Sequence, residues 1–160
     1  LGVPDILDNA YVIVDFANGQ RAFLELCMFA EGARYQEEIS VVGNKGKVEC
    51  FVPGPGRFWP KDLGDAPIPK LVLSPRMPKG PKELEVPVDP TLLAAGDHNG
   101  STFYQHQRFN AVVRGEGAVE VTLRDGLAAV VMGLAAQQSA ATGEAISLTR
   151  GEFDLKALLG

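Results

Sequence analysis

Two glycine-bearing turns constrain the first third of the chain more than any other feature. Asn18-Gly19 follows the apolar run at residues 10–16, and Gly43-Asn44-Lys45-Gly46 follows the run at 38–42. Asn-Gly is the strongest short hairpin signal, because both residues tolerate positive φ. Each turn is followed by a return run, residues 21–29 and 47–52. Two consecutive hairpins predict an antiparallel meander of four strands. In the first return strand Ala22, Leu24, Leu26 and Met28 share one face, and Arg21, Phe23, Glu25, Cys27 and Phe29 share the other. In the second, Val48, Cys50 and Val52 alternate with Lys47, Glu49 and Phe51.

The last third reads as helical. Ser101 or Thr102 can cap a helix running to about Arg114, with Gly115 as its left-handed stop. Thr122-Leu123-Arg124-Asp125 has capping-box form, and Leu123, Leu127, Val130, Val131 and Leu134 follow at helical spacing. Gly143 ends that helix, and residues 145–148 are predicted to return as a short strand. Strands first and helices afterwards predict an α+β fold, a largely antiparallel open-faced sheet with helices on one face. The first return strand carries apolar residues on both sides, so the other sheet face is available for oligomer contact. Its expected cover is a second copy of the chain, through a two-fold contact.

Between these regions, residues 53–90 hold ten of the chain's 11 prolines. Proline demotes strands to edges or short pieces, so this stretch reads as an excursion at the sheet edge. Two short strand candidates survive in it, at 70–73 and 84–88. Trp59, the only tryptophan, lies beside Phe58, and exposed aromatics in such a loop mark a candidate interface.

At 160 residues the chain is expected to form one domain. Its formal net charge of −5 argues against nucleic acid or an anionic membrane surface as partner. No apolar run approaches the roughly 18 residues needed to cross a bilayer. Cys27 and Cys50 lie in apolar strand-like runs and read as buried reduced thiols, which suits a cytoplasmic protein. Neither has a histidine or second cysteine at metal-ligand spacing, so no metal is expected. The chain opens Leu1-Gly2-Val3-Pro4, without methionine or leader, which is the expectation for part of something longer.

Chemical motifs are sparse. Gly54-Pro55-Gly56 begins like a dinucleotide fingerprint but lacks the third glycine and precedes a proline-rich loop. No catalytic residue is assigned. The two histidines carry the polar interest. His98 lies in Gly96-Asp97-His98-Asn99-Gly100, a loop that opens the first long helix, and His106 lies further along that helix with Tyr104. Asp97 and His98 at a helix mouth can contact a hydroxylated or anionic ligand. Spacing alone favours a solvent-exposed His98, a packed His106, and surface roles for Arg108 and Arg114.

Several segments together resemble the C-terminal domain of the glucose–fructose oxidoreductase/inositol dehydrogenase (Gfo/Idh/MocA) family. They are Asp8-Asn9-Ala10-Tyr11-Val12-Ile13-Val14-Asp15-Phe16 with Asn18-Gly19, and Glu38-Ile39-Ser40-Val41-Val42-Gly43-Asn44-Lys45-Gly46-Lys47-Val48-Glu49. His98-Asn99-Gly100 with the following helix, and Val119-Glu120-Val121-Thr122-Leu123-Arg124-Asp125-Gly126-Leu127-Ala128, complete the set. The resemblance implies that residues 1–160 form a C-terminal substrate-binding and oligomerisation domain, and that the Rossmann domain lies outside this chain. It implies NAD or NADP in the parent enzyme, bound by that other domain, with none expected on this chain alone. It implies a sugar, polyol or related CH–OH substrate and a homodimer or homotetramer formed through the open sheet face. Family catalytic residues have no counterpart here. His98, Asn99 and Gly100 are the candidate substrate-facing residues, with Tyr104 and His106 as further wall candidates. Asn99 stands where the family more often has glycine.

Two alternatives accompany this reading. One is a free-standing, non-enzymatic binding or dimerisation module that uses the same sheet. The other is an NAD-dependent glycosidase of the same superfamily.

Overall fold

The structure is a computed structural model, and it describes residues 7–30, 32–95 and 98–160. The fold is α+β. Its strands are β1 (Asn9–Asp15), β2 (Arg21–Cys27), β3 (Glu37–Gly43), β4 (Gly46–Val52), β5 (Lys70–Pro75) and β6 (Lys82–Glu85). Its helices are α1 (Pro90–Ala95), α2 (Ser101–Val113), α3 (Leu123–Thr142) and α4 (Leu155–Leu159). The chain divides into two compact units. One comprises Leu1–Ala10 and Glu25–Asn110, the other Tyr11–Leu24 and Ala111–Gly160.

Both hairpins form, but they do not join into one meander. β1 and β2 make a two-stranded sheet of their own, and the four-stranded sheet runs β3-β4-β5-β6. In the first turn Phe16 N–H donates to Gln20 and Gly19 N–H donates to Phe16. Only Gly19 takes positive φ, at 81°, so the loop is a three-residue turn closed by a left-handed glycine. Tyr11 stacks on Phe23 across the strands, with ring centroids 5.8 Å apart.

The proline-rich stretch supplies the strands missing from the meander. β5 pairs with β4 on one side and β6 on the other, so it is an interior strand and not an edge excursion. Its prolines punctuate the ladder and leave it intact. Pro69 precedes β5, Pro75 is its last residue, and Pro78 and Pro81 fall in the connection to β6. Before it, Pro55 and Pro60 each lead into a 3₁₀ turn, Gly56–Phe58 and Lys61–Leu63. Trp59 is half-buried there. The exposed aromatic is Phe58, whose ring lies 4.5 Å below the Arg57 guanidinium carbon.

Register separates the faces of this sheet, because directly paired antiparallel residues point to the same side. Ile39 pairs with Cys50, Val41 with Val48, Cys50 with Leu71, Val48 with Leu73, and Leu71 with Leu84. That face is apolar across its centre, with Glu37 opposite Val52 and Lys82 opposite Leu73 at its margins. The opposite face takes Ser40 with Glu49, Val42 with Lys47, Glu49 with Val72, Val72 with Glu83, and Lys70 with Glu85. Ion pairs of Lys47 with Glu49 (2.7 Å) and Lys70 with Glu83 (3.6 Å) lie on it. The two-sided apolar character expected from the first return strand therefore does not extend to the larger sheet, which has one apolar face and one charged face. Cys27 is exposed and Cys50 half-buried, both as free thiols. Cys27 thus departs from the buried expectation.

The helices follow their caps. α2 ends as expected: Gly115 N–H donates to Val112 and Glu116 N–H to Ala111, with Gly115 at φ 74°. At α3, Thr122 accepts from Asp125 N–H while the Asp125 carboxylate accepts from Thr122 N–H at 2.8 Å and from its hydroxyl at 2.7 Å. Those hydrogen bonds hold the Asp125 carboxyl below its ordinary value. Gly143 closes the helix in the left-handed region. Residues 145–148 are not a strand. Ser139 hydroxyl donates to the Glu144 carbonyl, and the Leu148 carbonyl accepts from Leu155 N–H, so this segment serves helix ends instead of a ladder.

Of the stripe expected on α3, only Val131 is buried. Val131 and Ala135, each 5% exposed, are the buried apolar residues among those described, flanked by half-buried Ala128, Met132, Ala136 and Ser139. Leu123, Leu127, Val130 and Leu134 form a second stripe that stays exposed, Leu123 at 95% and Leu134 at 49%. Val131→Ala is expected to cost about 2 kcal/mol, because Val131 is the larger of the two buried apolar side chains among the described residues. Leu134→Ala is expected to stay within about 0.5 kcal/mol. Urea unfolding midpoints at unchanged slope read both.

Candidate functional site

Of the candidate residues named from sequence, His98, Asn99 and Gly100 lie where α1 gives way to α2. Asp89 caps α1, accepting from the Thr91 amide (2.8 Å) and hydroxyl (2.7 Å), and Pro90 sits at its first position. The Thr91 hydrogen bonds hold the Asp89 carboxyl below its ordinary value. After α1 comes the 3₁₀ turn His98–Gly100, immediately before Ser101 opens α2. Gly96 and Asp97 lie outside the described residues, so the Asp97 expectation is carried no further.

Three consecutive residues of this turn have positive φ: His98 at 58°, Asn99 at 51° and Gly100 at 82°. For the two side-chain-bearing residues this conformation costs about 1 kcal/mol or more each, and it persists only where the surroundings over-determine it. Three contacts do so. His98 Nδ1 lies 3.3 Å from Glu37 Oε1. Asn99 Nδ2 donates to the Pro53 carbonyl at 2.8 Å. Gly100 is buried, and a Cβ there would meet Leu92 at 3.4 Å and Val88 at 3.5 Å.

The first two anchors belong to one place in the fold. Glu37 opens β3 opposite Val52, the last residue of β4, and Pro53 follows directly. Gln36 N–H donates to the Val52 carbonyl at 2.8 Å and closes that end of the hairpin. The turn is therefore pinned by two side chains to the open end of the β3–β4 hairpin. Its exposed polar edge is His98, with 54% of its side chain accessible, beside Glu37 at 49%.

Tyr104 and His106 lie on α2 beyond the turn. Tyr104 is exposed and meets Phe103 edge-on, with centroids 5.6 Å apart. His106 is exposed and not packed. Residues two apart on a helix do not share a face, so Tyr104 and His106 point in different directions. Among the described residues no hydrogen bond or ion pair joins either to the His98–Gly100 turn. Arg114 is a surface residue paired with Glu116 at 3.1 Å.

Glu37 is the site residue that sequence spacing missed. It precedes His98 by 61 positions, and only the β3–β4 register brings it there. The second unit holds the larger concavity, about 730 Å³, between β1, α3 and residues 145–149. Its wall carries Ala135, Ala136, Ala140 and Gly143 together with Asp15, Ser139, Ser147 and Thr149, and none of the candidate residues named from sequence lines it. Among the described residues no three His, Cys, Asp or Glu side chains gather as a metal site. No helix among them is long and apolar enough to cross a membrane.

A family model described as the oxidoreductase family C-terminal alpha/beta domain matches residues 3–148. The chain belongs to the Gfo/Idh/MocA oxidoreductase family. No curated protein matches it. The match spans β1 through α3, so it includes both sheets and the His98–Gly100 turn. In this Gfo/Idh/MocA domain the Gly54-Pro55-Gly56 segment does not form a dinucleotide cradle. Gly54-Pro55-Gly56 leads into a three-residue 3₁₀ turn, which lacks the stacked free N–H groups and dipole that an α-helix N-terminus offers a pyrophosphate.

Proposed function

We propose that this domain is the substrate-binding and oligomerisation part of an NAD(P)-dependent oxidoreductase acting on a sugar, polyol or related CH–OH compound. The observation that carries the reading is the His98–Gly100 turn, strained and doubly anchored, within a chain of this oxidoreductase family. Backbone strain of this kind clusters at ligand-handling sites. The groups at this turn are suited to hydroxyls: the exposed His98 ring and the half-buried Asn99 carboxamide offer hydrogen-bond partners. In the parent enzyme the nicotinamide, held by another domain, accepts or returns the hydride. This chain contributes orientation, which brings the reacting carbon to roughly 3–3.5 Å from its acceptor. Alone, the domain is expected to be inactive.

The apolar sheet face supports the oligomer reading. Val41 is 63% exposed and Ile39 60%, with Val48 and Leu84 also exposed. An apolar sheet face flanked by charge fits a self-complementary contact. The test of the enzyme reading is the coding sequence upstream of Leu1. About 120 or more codons containing a strand, a G-x-G-x-x-G/A turn and a helix are expected. A start codon within a few residues of Leu1 would favour the free-standing module instead.

A further inference from the structure

We propose that Glu37 is a positioning residue for His98. Its carboxylate accepts a hydrogen bond from Nδ1 and so holds the neutral imidazole in the tautomer whose Nε2 carries the lone pair. The functional consequence rests on the substrate-binding reading above; the tautomer itself does not.

An ionised carboxylate only accepts hydrogen bonds. In the 3.3 Å contact between His98 Nδ1 and Glu37 Oε1, the proton therefore sits on Nδ1. A neutral imidazole with its proton on Nδ1 has an acceptor at Nε2, so the bond one nitrogen makes decides what the other can do. Free imidazole side chains favour the opposite tautomer. The carboxylate thus turns His98 from a donor into an acceptor at its outward nitrogen, which suits a substrate O–H.

The backbone fixes the pair in register. His98 and Asn99 both occupy the left-handed region, and Asn99 is tied to the Pro53 carbonyl at 2.8 Å. Glu37 and Pro53 lie at the same end of the same hairpin, because Glu37 pairs with Val52. The Asn99 anchor therefore limits how far His98 can move from Glu37. Both members of the pair are about half accessible, 54% and 49%, so a ligand can reach the ring without displacing the carboxylate.

The test is a ¹⁵N–¹H correlation spectrum of the histidine rings in the intact protein, labelled at histidine, at a pH where the rings are neutral. His98 is assigned by the signals lost in His98→Gln. The wild-type His98 ring is expected as the Nδ1–H tautomer. Glu37→Ala is expected to return it to the Nε2–H form. Glu37→Gln, whose carboxamide oxygen accepts the same bond, is expected to keep it. A wild-type ring in the Nε2–H form, or a tautomer indifferent to Glu37→Ala, would overturn the proposal. The wild-type spectrum alone decides if the alanine variant does not fold. Unchanged turnover in His98→Ala would remove the substrate role and leave this result standing, so the two failures are distinguishable.

Discussion

Gly46→Ala is expected to destabilise the protein by about 3 kcal/mol, the largest effect of an added methyl at any of the described glycines. Gly46 opens β4 at φ 155° and lies directly opposite Pro75 of β5. A Cβ there would run into the Ser74 carbonyl oxygen and lie 2.9 Å from Pro75 Cα. Both obstacles are backbone, so no rotamer change relieves them, and β5 must separate from β4. Gly43, on the other side of the same turn, is the control. A Cβ there meets nothing within 4 Å, and Gly43→Ala is expected to stay within about 0.5 kcal/mol. Urea midpoints for the two variants provide the comparison. Equal shifts would mean that β5 does not pack against Gly46.

Val41→Glu is expected to weaken self-association by about a hundredfold, while Val42→Glu leaves it nearly unchanged. The two residues are neighbours on β3 and point to opposite faces. Val41 pairs with Val48 on the apolar side, and Val42 pairs with Lys47 on the charged side. A carboxylate trapped unpaired in an interface costs about 3 kcal/mol or more, and each 1.4 kcal/mol is tenfold in affinity. On the charged face the same carboxylate gains Lys47 as a neighbour and stays in water. Sedimentation equilibrium at micromolar concentration measures both. A monomeric wild type, or equal effects of the two variants, would contradict an oligomer contact through the apolar face.

Local signals were read well where the chemistry is local. The Thr122–Asp125 capping box, the Gly115 and Gly143 stops and both hairpin turns formed as their residues dictate. Asp89-Pro90-Thr91 carries an equally local start signal, for α1. Partnership between elements was not legible. Periodicity identified strand candidates in the proline-rich stretch, but nothing in them indicated that β5 would sit between β4 and β6. The same limit applied to α3, where the large side chains drew the stripe toward Leu127 and Leu134 although the buried positions are Val131 and Ala135.

The candidate site shows the same division. His98, Asn99 and Gly100 were found because they are contiguous and resemble a family loop. The anchors that hold them, Glu37 and the Pro53 carbonyl, are 61 and 46 residues away from the groups they bind, and only strand register brings them there. Asparagine visits the left-handed region more readily than most residues, and the bond to the Pro53 carbonyl holds Asn99 there. Its side chain replaces glycine's freedom with a hydrogen bond to the sheet.

The most direct test of the proposed function is the NAD(P)-linked turnover of a polyol or sugar by the intact protein, wild type against His98→Ala. The turn is claimed to hold substrate, so kcat/KM for the CH–OH substrate is expected to fall by about tenfold to a hundredfold, with the KM for NAD(P) unchanged. Unchanged kcat/KM on a substrate that the wild type turns over would contradict the account.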